Sequence, residues 1–389
     1  METLKSDFEL KENNILNNFT LKINIFSLFL FTVFAIFTPA DSLGLKKVCL
    51  IVLLMINLVH LLTKSVNKKY SVIGFHIFIF LPIVILISVI SGGTISITIA
   101  STYISLMAGL NVVISIYKIN YERYFFIVLK AMVIIIIISV LLDKIGLVDV
   151  YNNSFLMYLH QNDEAMIGKS PVYWSTYIFF FKASPLLVFL LGYSLFKHKY
   201  LFAILTIISL TITGTRANLF SALILIVIFL FIHQKNIVLK ILIALSTILV
   251  MLVLFEPIND YFAYMFISKV DSRVNKIGDI QEILEVFKEY PHTIFFGTGF
   301  GSEIKYGIPH IISEIALLDL WRKIGLFGLL MFLYYILKPV LIIWRNRDSR
   351  WVVYSFFLYL AIAMTNPLLY SSTGYMAYVF VYYKYYELT

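Results

Sequence analysis

The stretch Tyr124-Phe-Phe-Ile-Val-Leu-Lys-Ala-Met-Val-Ile-Ile-Ile-Ile-Ile-Ser-Val-Leu-Leu142 decides the fold class, and its only charge is Lys130. At a helical rise of about 1.5 Å per residue it reaches about 28 Å, close to the roughly 30 Å hydrocarbon core of a bilayer. Similar runs recur along the chain, so that 60% of its 389 residues are hydrophobic and only 14% are charged. No water-soluble domain needs that much apolar surface, which excludes a soluble enzyme.

Working outward from this stretch, apolar runs fall at about 21–39, 45–63, 71–91, 95–117, 124–142, 173–196, 199–213, 217–233, 237–255, 324–343, 351–366 and 373–386. They predict an all-α polytopic integral membrane protein of about twelve transmembrane helices, a single domain over 1–389. With the amino terminus inside, the inner connections carry Lys64, Lys68, Lys69, Lys118, Arg123, Lys197, Lys199, Lys235, Arg345, Arg347 and Arg350. The outer connections 91–94 and 366–372 carry no basic residue, and only Lys46 and Lys47 run clearly against the pattern. Both termini are therefore expected on the cytoplasmic side. The net charge of +9 then reports topology in a lipid bilayer, and no nucleic-acid partner is expected. Met1 to Asn18 are polar and no small-residue cleavage pattern follows the first run, so no cleaved signal peptide is expected.

This topology leaves two long segments outside, 143–172 and 256–323, and the second is rich in charge. Long outer loops are where function concentrates. Within the larger one, Asp279 to Tyr290 places Ile280, Ile283, Leu284 and Phe287 on one helical stripe and Glu282, Glu285 and Glu289 opposite, with Asp279 as cap and Pro291 as terminator. Such a helix either lies on the outer leaflet or packs on the bundle.

Thr213-Gly214-Thr215-Arg216 stands at the outer boundary between two runs, with Arg216 opening the second. A cation on the first turn of a helix is mildly unfavourable unless an anion joins it, so Arg216 either contacts a phosphate or snorkels to headgroups. Arg273, before the amphipathic helix, either completes a guanidinium clamp on pyrophosphate or pairs with Asp271 or Asp279. Lys182, expected about 12 Å deep in a span beside Pro185, is either a phosphate contact or a snorkelling lysine. His310, at the start of an expected helix Ile311 to Trp321, is the side chain best tuned to take a proton, and Glu314 stands at i+4 to orient it. Asp319 with Arg322 or Lys323 fits an ordinary helix-face ion pair. Gly297-Thr-Gly-Phe-Gly301 lacks the strand and helix of a dinucleotide site and fits a tight turn. The single cysteine, Cys49, excludes an intrachain disulfide, and no metal-ligand spacing is present, so no metal or cofactor is expected.

The order of these features, Thr213-Gly-Thr-Arg216, Ser272-Arg273, Phe295-Phe-Gly-Thr-Gly-Phe-Gly301, His310 and Gly325-Leu-Phe-Gly328, resembles the O-antigen ligase and polymerase superfamily. The stretch Ala363-Met-Thr-Asn-Pro-Leu-Leu-Tyr-Ser-Ser-Thr-Gly374 is more similar to the polymerase branch, and the likeness covers roughly 205–375. The resemblance implies a GT-C-like, inverting, metal-independent glycosyltransferase of the bacterial inner membrane. Its substrate would be an undecaprenyl-pyrophosphate-linked oligosaccharide, polymerised into O-antigen or a related surface polysaccharide on the periplasmic side. A polysaccharide chain-length regulator would be its partner. Arg216 and Arg273 match the family arginines, joined by Lys182 and Thr215 on the pyrophosphate, and His310 matches the histidine that takes the acceptor proton, with Glu314 behind it. The chain departs from the pattern where Ile311 follows His310 in place of asparagine and where Pro291 replaces the proline nearer the glycine turn. An O-antigen ligase is the neighbouring alternative. A lipid-linked oligosaccharide transporter or flippase is the alternative of another class, although no internal repeat with interrupted helices is visible.

Overall fold

A computed structural model describes residues 21–39, 43–63, 83, 86, 119–149, 153–162, 164–169, 177–233, 238, 270–305, 310, 313, 315–364, 366, 368–369 and 371–389. The described chain is mostly helical. Its elements are α1 (Leu21–Phe37), α2 (Leu45–Thr63), α3 (Tyr121–Lys144), α4 (Ser154–Gln161), β1 (Ala165–Lys169), β2 (Tyr177–Phe181), α5 (Leu187–Phe196), α6 (Tyr200–Ile212), α7 (Arg216–His233), α8 (Val270–Glu289), α9 (Thr293–Phe296), α10 (Ala316–Arg345), α11 (Arg350–Met364) and α12 (Ser372–Leu388). The expected spans at 71–91, 95–117 and 237–255 lie outside the described residues apart from Ile83, Leu86 and Val238.

Among the described residues two helices, α3 and α10, are long and apolar enough to cross a membrane, and α1, Ser184–Phe196, α6 and most of α7 are shorter apolar helices. The opening stretch forms α3 for local reasons: Asn120 caps it by accepting from the Arg123 amide at 3.2 Å, Glu122 sits in the first turn and Lys144 in the last. In α10 the backbone breaks at Gly325 (φ 68°), which divides an arm, 316–324, from the long apolar segment 326–345.

The expected span 173–196 is corrected. Within it Tyr177–Phe181 forms strand β2, paired antiparallel with β1 from Ala165 opposite Phe181 to Lys169 opposite Tyr177, and the short α5 follows. Tyr177-Ile-Phe-Phe-Phe181 is aromatic and β-branched, and it merges with the leucine-rich α5 into one apolar run whose periodicity cannot separate strand from helix. Pro185 lies in the 3-10 turn Ser184–Leu186 that starts α5, where its missing N–H costs nothing, so it kinks no helix. Among the described residues the all-α expectation therefore fails at this hairpin.

Side-chain pairings give each helix its direction. Phe125 stacks on Phe380 at 4.9 Å while Tyr121 meets Tyr383, so α12 runs antiparallel to α3. Tyr335 stacks on Tyr382 and Phe332 meets Tyr378, so α10 runs parallel to α12. Lys130 lies over Phe202 and Ser209 donates to Val133 O, so α6 runs with α3. Phe196 meets Phe229 while Asn218 bonds Ser184, so α5 and α7 both run the opposite way. One end of the bundle consequently gathers Arg123, Lys197, Lys199, Arg345, Arg347 and Arg350. The other, termed the outer end from the charge pattern, gathers Lys182, Thr213, Arg216 and the arm of α10. Between them the core is aromatic: Phe126 stacks on Tyr193 at 4.3 Å, and Phe189 packs on Phe380 and Tyr359. Gly192 of α5 lets α11 approach so closely that a Cβ would strike Ser355 Oγ.

Candidate functional site

Helix α8 begins at Val270, nine residues before the expected cap, so Asp279 lies mid-helix and Ser272-Arg273 lie in its first turn, not in a loop before it. Pro291 follows the helix as expected. Ile283 and Phe287 are buried as the stripe predicts, but Leu284 is exposed, and it is Asp279 that shares the buried face. The Asp279 carboxylate is 4% exposed.

His310 approaches it. The His310 ring, 34% exposed, places Nε2 at 3.3 Å from Asp279 Oδ2. The backbone of His310 is held by paired bonds to Ile304, its N–H donating to Ile304 O at 3.0 Å and its carbonyl accepting at 2.8 Å. The helix that His310 was expected to open starts only at Ala316, so His310 sits in a bridge, and its carboxylate neighbour among the described residues is Asp279, 31 positions earlier. Glu314 itself lies outside the described residues. Ser313 Oγ also donates to Asp279 Oδ2, at 2.6 Å, whereas Asp279 Oδ1 is buried with no partner among the described residues. In the tautomer whose Nε2–H donates to Asp279 Oδ2, a neutral ring carries its lone pair on Nδ1.

Behind this pair lies a buried charged knot. Asp319 is fully buried; Oδ1 accepts from Arg322 Nε at 3.1 Å and Nη2 at 2.7 Å, and Oδ2 accepts from Lys323 Nζ at 2.7 Å and from the Ser313 amide at 3.2 Å. Arg322 Nη1 donates to Ser302 O at 3.0 Å and to its hydroxyl. Thr298 and Gly299 amides donate to the carbonyls of Arg322 and Lys323 at 2.7 and 2.9 Å. The expected helix-face pair is therefore corrected: the i+3 and i+4 spacing holds, but both cations share one carboxylate in the interior. Gly297 (φ 77°) and Gly325 make the joint, since a Cβ on Gly297 would strike Lys323 O and one on Gly325 would strike Phe295 O. The glycine turn is thus structural, as the sequence indicates.

A second polar cluster lies at the start of α7. Arg216 is the first residue of that helix, as expected. Asn218, fully buried, donates from Nδ2 to Ser184 Oγ at 3.1 Å and to Thr213 Oγ1 at 3.3 Å, and among the described residues neither Asn218 Oδ1 nor the buried Thr215 Oγ1 has a partner. Lys182 is corrected from a mid-span position to the turn after β2, one residue beyond the pairing of Phe181 with Ala165. The side chains of Arg216 and Arg273 lie outside the described residues. Sequence reasoning missed Asp279 as the partner of His310, and also Ser313, Ser302 and Asn218. Of these only Asn218, an amide two residues into an apolar helix, carried a local signal. Among the described residues no three His, Cys, Asp or Glu side chains gather as a metal-binding group.

No protein-family model, curated protein or solved structure matches the chain.

Proposed function

We propose that the chain is a polytopic inner-membrane glycosyltransferase of about twelve crossings that polymerises undecaprenyl-pyrophosphate-linked oligosaccharide repeat units on the periplasmic side. The observation that carries this reading is the His310–Asp279 pair, a base about one-third exposed with a buried carboxylate behind it, at the end of the bundle where Arg216 opens α7. Support also comes from the resemblance of residues 205–375 to the O-antigen ligase and polymerase superfamily.

The reaction would be a single displacement. His310 Nδ1 takes the proton of an acceptor sugar hydroxyl as its oxygen bonds the anomeric carbon. The bond from that carbon to the phosphate oxygen breaks, and the electron pair leaves with undecaprenyl pyrophosphate. Inversion at that carbon follows. Arg216 and Arg273 stabilise the departing pyrophosphate, with Lys182 and Thr215 beside it, in the place a divalent metal takes in many sugar-nucleotide transferases. Asp279 Oδ1, which has no partner among the described residues, offers a further acceptor at the site.

Two experiments test this. In a deletion strain, complementation with wild type should restore a polysaccharide ladder, whereas Arg216→Ala should leave single repeat units with normal protein in the membrane. The expected loss is about 10²-fold or more in turnover. Normal chain lengths in Arg216→Ala would overturn its role, and long chains accumulating on the carrier in the deletion would make the protein a ligase. With purified protein and lipid-linked repeats, His310→Ala should slow turnover by about 10²–10⁴-fold, and undiminished turnover removes it as base.

A further inference from the structure

Helix α10 carries an exposed apolar stripe, Phe327, Leu330, Tyr334 and Leu341, each more than half exposed and spaced three, four and seven residues apart, on one face. On a helix of this length and hydropathy such a face belongs against acyl chains. The stripe does not stop where the long segment of α10 begins. Phe295 and Phe296 of α9 lie with ring centroids 5.9 Å from Phe327, and both are themselves exposed, at 46% and 57%. An aromatic surface therefore continues from the lipid-facing side of α10 past the Gly325 break and onto a separate element of the outer segment.

That element is rigidly held. Trp321 Nε1 donates to Ile294 O at 2.9 Å, Gly297 N closes α9 on Thr293 O at 2.8 Å, and the next two amides bond the carbonyls of Arg322 and Lys323. Gly297 and Gly325 leave no room for a Cβ between them. Two large rings presented outward on so stiff a support would cost the hydrophobic free energy of their exposed area if they met water.

We propose that Phe295, Phe296 and Phe327 form a membrane wedge, inserted into the outer leaflet at its interface, so that α9 is a lipid-docking element. The occupant is the acyl region of the bilayer, because the patch is continuous with the lipid-facing stripe of α10 and aromatic rings favour that depth. Since α9 is bonded to the backbone of Arg322 and Lys323, the wedge fixes the height of the charged knot, and of Asp279 and His310 beside it, relative to the bilayer surface. This inference rests on the membrane part of the reading above and not on the transferase chemistry.

The test uses the full chain in vesicles of phosphatidylethanolamine and phosphatidylglycerol. Because Cys49 is the single cysteine, Cys49→Ala clears the background, and a nitroxide is attached in turn to Phe296→Cys, Phe295→Cys, Leu330→Cys and Glu303→Cys. Collision with oxygen, which concentrates in lipid, is compared with collision with a water-soluble nickel chelate. The expected result is an oxygen-to-nickel ratio at 295 and 296 that matches 330 and is several-fold above 303. A water-like ratio at 295 and 296 with a lipid-like ratio at 330 overturns the wedge alone; a water-like ratio at 330 as well overturns the membrane reading. Exclusion of both reagents at 295 and 296 would show protein cover, such as a second copy of the chain, and also overturns the wedge.

Discussion

At the outer end the chain buries polar side chains in two places and treats them in opposite ways. Around Asp319 the hydrogen bonds are made: both carboxylate oxygens accept, from Arg322, Lys323 and the Ser313 amide, and the far side of Arg322 is tied to Ser302. Beside Arg216 they are made only in part: Asn218 Nδ2 donates to Ser184 and Thr213, while Thr215 Oγ1 and Asn218 Oδ1 are buried with no partner among the described residues. An unmade hydrogen bond in the interior costs about 1–3 kcal/mol, so the second cluster stores a cost that the first avoids. A complete network holds shape, whereas an incomplete one keeps atoms available for a ligand. Asp279 stands between the two cases, with Oδ2 doubly bonded and Oδ1 unused.

The sharpest way to break this contrast is Asp319→Ala. It leaves Arg322 and Lys323 buried without their shared counter-ion, and removing one partner from such a group costs about 3–5 kcal/mol. The expected outcome is loss of protein from the membrane or a large fall in the melting temperature of the purified protein. Replacing Asp319, Arg322 and Lys323 together by Leu, Met and Met should recover much of that loss, since no uncompensated charge remains. Tolerance of the single substitution would mean that the knot is not what holds the 298–302 turn to the arm of α10.

A smaller effect tests the joint itself. Gly297 needs positive φ and space against Lys323 O, so Gly297→Ala forces both a strained backbone and a displacement of the arm. The expected cost is about 1–3 kcal/mol, read as a lowered melting temperature with the protein still present in the membrane. An unchanged melting temperature would show that α9 and α10 are not locked there, which would also weaken the mechanical link between the membrane wedge and the charged knot.

The contrast also separates what the sequence could and could not reveal. The break between α6 and α7 was legible because Thr213-Gly-Thr-Arg216 interrupts two apolar runs, and the helices end within a residue or so of it. Lys182 was misplaced because a strand of aromatic residues and a leucine-rich helix have the same apolar signature over so short a window. The Asp319 pairs were legible from i+3 and i+4 spacing, but spacing carries no information on burial, which depends on the turn at 298–302 closing over them. The partner of His310 was not legible at all. Asp279 lies 31 positions away, and the apolar stripe that follows it resembles the start of a helix when it is the middle of one.

The smallest expected effect is the most discriminating. In Asn218 the orientation of the amide is set by Thr213, whose hydroxyl proton is already given to Leu210 O at 2.7 Å and whose oxygen can then only accept, so Nδ2 must face it. Oδ1 is thereby forced into an unpartnered position. Asn218→Leu removes two amide hydrogen bonds, each worth about 0.6 kcal/mol on average between membrane helices, and removes an unsatisfied acceptor at the same time. The two changes oppose one another, and the net shift in stability should stay within about 1 kcal/mol, measured as melting temperature in detergent. Under the proposed transferase reading, turnover of lipid-linked substrate by the same variant should fall, because an acceptor beside Arg216 is gone. If Asn218→Leu instead unfolds the protein as Asp319→Ala does, both clusters are scaffolding and the contrast between them disappears; if it changes neither stability nor turnover, the unpartnered oxygen serves no ligand.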